Sequence, residues 1–302
     1  MTTEVKNKMG NTTFSGPIRS QNGTRLISKN SSTGLISDRT LADSGVRDAR
    51  RFFLEEWFLQ RPGINANIDQ VSTVEVQRAL NRNWEALGTN MTTALCTFAS
   101  TSAGVLATTA GADQDQAILT PHLDTAATAW AGCQWGTENE VHFETSIMLP
   151  AIDNQKVWAG LKLTNDQLVA TDANQVFFKF QTDATNSEAF TDFTTWHFVH
   201  SIGGTDFISQ IPVTVAANTP YHLKITIDSD RKASIFVNGI QYNVTTTSGS
   251  TGGTAVTTGT TPSGALTDDV DLIPYVGIEA GAGAAEAVNC HYVCCSRNVY
   301  EN

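Results

Sequence analysis

The segment Glu138-Asn-Glu-Val-His-Phe-Glu144 holds the residues whose types and spacing come closest to chemistry. In an extended chain Glu140, His142 and Glu144 fall on one face, because strand side chains alternate. Two carboxylates across a glycosidic bond serve as general acid and as base or nucleophile. Retaining chemistry needs them about 5–5.5 Å apart. Without catalysis, Glu140, His142 and Glu144 with Trp130 and Trp135 form a candidate glycan-binding set, in which carboxylates accept hydroxyl hydrogens and indole rings stack on sugar faces. The plainer reading, which the pattern supports first, is the polar outer face of an ordinary strand.

Two other clusters invite a metal. Asp228 and Asp230, with Asp268, Asp269 and Asp271, offer hard oxygens suited to calcium. The same residues are common turn formers. In Cys290-His-Tyr-Val-Cys-Cys295, strand alternation places Cys290, Tyr292 and Cys294 on one face and His291, Val293 and Cys295 on the other. Ligands divided in this way cannot close one tetrahedral zinc site, so buried apolar cysteines are expected. The six histidines have no triad or metal spacing, and no G-x-S-x-G, P-loop or G-x-G-x-x-G motif occurs. The expectation is a protein without enzymatic activity and with no cofactor beyond the calcium candidate.

The elements that must position these residues read as strands. Runs such as Val141–Leu149, Lys156–Leu163, Gln175–Phe180, Thr195–His200, Tyr221–Ile227 and Ala233–Val237 mix apolar and polar residues, several in alternation, between turn residues. Asn238-Gly239 between Val237 and Ile240 is a strong hairpin signal. The pattern predicts a mostly β chain, an antiparallel sandwich over residues 91–302, with a mobile Thr/Gly-rich loop or insertion at about 245–269. Residues 41–90 form a connecting segment, either helical or part of the sandwich. Asp43 and Ser44 are capping candidates, while Phe52, Phe53, Trp57 and Phe58 suit a strand equally well. Residues 1–40 carry little that could form a core and read as an extended arm. Phe14, Ile18, Arg19, Leu26 and Ile27 are its candidate partner-binding residues.

Charge divides the 302 residues unevenly. Residues 1–90 hold 12 Lys+Arg and 9 Asp+Glu, a net +3; residues 91–302 hold 7 and 21, a net −14. The acidic portion would repel phosphates, so no nucleic acid partner is expected. No apolar run is long enough to span a membrane, and the polar opening, Met1 to Gly10, has no leader-like apolar region. The five cysteines are therefore expected as free thiols made in a reducing host cytoplasm.

Tyr221-His-Leu-Lys-Ile-Thr-Ile-Asp-Ser-Asp-Arg-Lys-Ala-Ser-Ile-Phe-Val-Asn-Gly239 resembles the two-strand signature of concanavalin-A/laminin-G-like jelly rolls, with Leu272–Ile278 and Val288–Tyr300 resembling their closing strands. That resemblance implies the sandwich and a rim that often binds calcium. Jelly-roll β-glucanases pattern their catalytic strand Glu-x-Asp-x-Glu. Here His142 stands at the middle position, which removes the group that tunes the pair. A second resemblance, to virion structural proteins of tailed bacteriophages, is carried by Gly10-Asn-Thr-Thr-Phe-Ser-Gly-Pro-Ile-Arg-Ser20, Thr108–Asp124 and Trp158–Thr164. It implies a decoration or cement protein located in the virion. Its partners would be the major capsid protein or other virion proteins and further copies of itself in a homo-oligomer, or a host-surface glycan if the sandwich acts as a carbohydrate-binding module or tail-fibre adhesin.

Overall fold

The computed structural model describes residues 27–29, 36–38, 51–67, 83–98, 103–123, 134–182, 188–249, 251–281 and 283–299. These form strands β1 (Ile27–Lys29), β2 (Ile36–Asp38), β3 (Arg51–Glu56), β4 (Gly63–Asn65), β5 (Glu85–Leu87), β6 (Cys96–Phe98), β7 (Val105–Thr108), β8 (Gln116–Thr120), β9 (Trp135–Gly136) and β10 (His142–Met148). They continue with β11 (Gln155–Lys162), β12 (Gln175–Gln181), β13 (Thr195–Ile202), β14 (Thr205–Thr214), β15 (Pro220–Ile227), β16 (Ala233–Val237), β17 (Ile240–Tyr242), β18 (Thr254–Ala255), β19 (Asp271–Ala280) and β20 (Ala287–Asn298). Among the described residues no helix is long and apolar enough to cross a membrane.

The strands build two sheets. One runs β1-β2-β17-β16-β15-β10-β20-β7-β6, with β3 also paired to β20. The other runs β18-β14-β13-β12-β11-β19-β8-β5-β4, with β9 also paired to β19. The central pairs are antiparallel. Alternation does the rest. Phe143 and Ile147 of β10, Leu223 and Ile225 of β15 and Ile235 of β16 meet Val157, Ala159 and Leu161 of β11, Phe178 of β12 and Trp196 and Phe198 of β13 in one core between the sheets. The fold is a two-layer antiparallel β-sandwich.

The second sheet is buried on its other face as well. Trp158, Phe177, Val199, Ile208, Ile273 and Tyr275 pack there with Leu123, Val169 and Phe190 from the connections. That is why β11, β12 and most of β13 and β19 are buried along their length instead of alternating. Trp158 lies flat over Gly277, where a Cβ would fall 2.2 Å from the indole.

Several expectations change. Residues 51–56 are a strand, because Phe53 to Glu56 find partners in Val293–Ser296 of β20; the helical alternative does not hold there. Part of the arm belongs to the sandwich: β1 and β2 form a hairpin, and Ser37 pairs with Ile240 at the sheet edge. The loop after β17 is packed down. Val244 and Leu266 are buried, β18 pairs with β14, and Tyr242 bridges Thr258.

Candidate binding site

On the outer face of the first sheet, β10 places Glu144 between Lys224 of β15 and Cys294 of β20. Its neighbours depend on a β-bulge. The register of β20 slips between Ser146 and Ile147, so Ser146 faces Tyr292, Ile147 faces Cys290, and His291 is the extra residue. Cys290 therefore joins Val293 and Cys295 in the core, while Tyr292 turns outward with Cys294. This corrects the unbroken alternation expected for 290–295. Gly104, at φ +96°, lies against the bulge; a Cβ there would sit 2.1 Å from the Cys290 carbonyl oxygen.

The outcome is a compact polar triangle. Tyr292 Oη donates to Glu144 Oε1 at 2.5 Å, and His222 Nε2 lies 2.9 Å from the same oxygen and 2.6 Å from Tyr292 Oη. Glu144 is fully buried. Trp57, just beyond β3, stacks on Tyr292 with ring centroids 4.8 Å apart and remains 45% exposed. Its indole also walls a pocket of about 230 Å³, together with Glu55, Glu56, Arg61, Pro62 and Trp84. Burial pushes the Glu56 carboxyl above the usual carboxylate range, against the opposing Phe58 N–H that donates to it at 2.8 Å. Among the described residues nothing accepts a hydrogen bond from the buried Trp84 indole N–H or from the buried Arg61 Nε.

The expected site residues are scattered. Glu140 is not on the strand with His142 and Glu144. It ends a short 3₁₀ turn, Thr137–Asn139, in the left-handed region (φ 49°), and its carbonyl accepts from Arg51 Nη2 at 2.7 Å. His142 opens β10 and is half-buried. Trp135 is no exposed platform, being fully buried in β9 with its ring 6.0 Å from that of Phe52. Trp130, Phe14, Ile18, Arg19 and Leu26 lie outside the described residues, and Ile27 opens β1. Asp228 serves the β15–β16 turn, its Oδ1 accepting the N–H groups of Asp230 and Lys232 at 2.9 Å each. Among the described residues no group of three or more His, Cys, Asp or Glu is arranged to hold a metal ion, which leaves the calcium candidate without a cage.

Sequence reasoning missed the partners of Glu144 and the charges on the second sheet. On its outer face Lys156 pairs with Glu279 at 2.6 Å, Lys162 with Asp172 at 3.0 Å, and Lys179 with Glu188. All three lysines are buried. Lys179 also donates to Gln167 O and Oε1 at 2.8 and 2.7 Å, and Gln116 Nε2 donates to Glu279 Oε2 at 2.6 Å. Burial lowers Lys162 and brings Lys179 down to about 8, with the carboxylates opposing that fall. Lysines at alternate positions of strands are visible in the sequence, but each partner lies in a different connection or strand. Burial also pushes the Cys290 thiol up to about 12, so it is unreactive.

No protein-family model and no curated protein matches the chain. Among solved structures it is similar to a protein of unknown function from Shewanella oneidensis MR-1 (10% identity, TM-score 0.46, covering 87% of this chain and 94% of that one). It is similar to the potassium-bound carbohydrate recognition domain of Emp46p (9%, 0.43, 76% and 94%). It is also similar to the family 7 alginate lyase A1-II′ (12%, 0.43, 68% and 85%). At these identities and scores the likenesses say nothing of what this chain binds or does.

Proposed function

We propose that the chain is a structural, non-catalytic protein of a bacteriophage particle, a decoration or cement component. It attaches to the major capsid protein through its N-terminal segment and projects the sandwich from the shell. The particle assignment is supported by the resemblance carried by Gly10–Ser20, Thr108–Asp124 and Trp158–Thr164. The observation that most supports a non-catalytic role is the parting of Glu140 from Glu144. The first lies on a left-handed turn, and Oε1 of the second is engaged by Tyr292 and His222. A glycosidase needs two carboxylates facing one bond across a few ångströms.

The charge layout fits the same reading. The acidic sandwich is repelled by packaged nucleic acid, and the mildly basic first 90 residues suit an acidic protein surface. Weak contacts repeated around a symmetric shell add into firm attachment, and further copies of the chain complete the layer. Mass spectrometry of gradient-purified particles should detect the chain in many copies per particle. Detection only in the soluble fraction of infected cells would overturn the assignment.

A further inference from the structure

We infer that the pocket beside Trp57 is a binding site for a single neutral pyranose ring. The pocket measures about 230 Å³, smaller than the roughly 300–1,000 Å³ of sites for drug-sized ligands, a size that suits one ring. Its parts match the two kinds of surface a pyranose presents. The apolar C–H face needs a flat aromatic, and Trp57 supplies one that is 45% exposed and held in orientation by its stack on Tyr292. Sugar hydroxyls need donors and acceptors together. Glu55 and Glu56 bring acceptors and the Arg61 guanidinium brings donors to the pocket lining.

Charge then sets the class of sugar. Two carboxylates against one guanidinium leave the lining net negative, which favours neutral hexoses and N-acetylhexosamines and disfavours uronates. The inference stands apart from the particle assignment, because it concerns the isolated chain.

The full chain can be titrated with D-glucose, D-galactose, D-mannose, N-acetyl-D-glucosamine and D-glucuronate, following indole N–H resonances by NMR. At least one neutral sugar should shift the Trp57 or Trp84 resonance saturably, and glucuronate should not. Trp57→Ala should weaken that sugar by at least about tenfold, the loss of a stacked ring, while Trp57→Phe and Leu168→Ala retain it within about threefold. Glu56→Gln should weaken it without altering the fold. No saturable shift with any neutral sugar, tighter binding of glucuronate than of every hexose, or unchanged affinity in both Trp57→Ala and Glu56→Gln would overturn the inference.

Discussion

His197 and His200 are fully buried neighbours on β13 that face opposite sides of the second sheet. His197 packs on Phe190 with centroids 4.3 Å apart, and His200 stacks on Phe207 at 4.6 Å. Burial lowers both from 6.5 to about 4; for His197 the Asp192 charge works against that fall and Lys179 adds to it. In the unfolded chain each takes up a proton near pH 6.5, whereas in the folded protein neither does until about pH 4. The unfolded state therefore binds more protons in this window, and stability is lost as pH falls from about 6.5 to 4. The loss is on the order of 3 kcal/mol per histidine at its limit. Thermal melts across pH 7 to 4 should show the midpoint falling steeply, and His200→Phe should flatten the fall. An unchanged slope in that variant would remove the histidine from the explanation.

At the scale of elements, the bulge in β20 decides which residues reach the outer face. Gly104→Ala would add a methyl against the Cys290 carbonyl in a backbone region that disfavours any Cβ. It should destabilise by more than the roughly 1–2 kcal/mol that a left-handed residue costs alone, and it should shift the Tyr292 resonances. The buried ion pairs make a second prediction. Lys162→Met leaves Asp172 charged and buried, at a cost of roughly 3–5 kcal/mol, and adding Asp172→Asn should recover most of it. Chemical denaturation of the single and double variants measures both. These two elements also mark the limit of legibility. The strands β10 to β13 and β15 to β17 could be read from their short apolar-rich runs between turn residues, and the Asn238-Gly239 turn from its dipeptide, because those signals are local. β14 is not legible in this way, because Pro212 interrupts its run. The bulge could not be read, because it is set by pairing between residues more than a hundred positions apart. Nor could the partners of Lys156, Lys162 and Lys179, which tertiary packing selects. Of the candidate site, Glu144 was legible, while Trp57, Tyr292 and His222 were not grouped with it, since each sits on a different strand or connection.

For the whole molecule, burial on the second sheet extends beyond the core between the layers. The second sheet is covered on both faces, and its three lysines are each paired with a carboxylate. Trp57, 45% exposed, lies beside a pocket at the outer face of the first sheet. The arm divides at Ile27: the β1–β2 hairpin belongs to a sheet edge, and on the proposed function residues 1–26 would make the attachment. Deleting 1–26 should therefore preserve the fold and abolish attachment, whereas deletion through residue 40 should also loosen the sheet edge. The most direct measurement is a cryo-electron microscopy reconstruction of purified particles. The account predicts two-layer β-sandwich density repeated with the symmetry of the particle surface, joined to it by an extended N-terminal strand of density. Particles whose surface proteins are fully accounted for by other chains would contradict it.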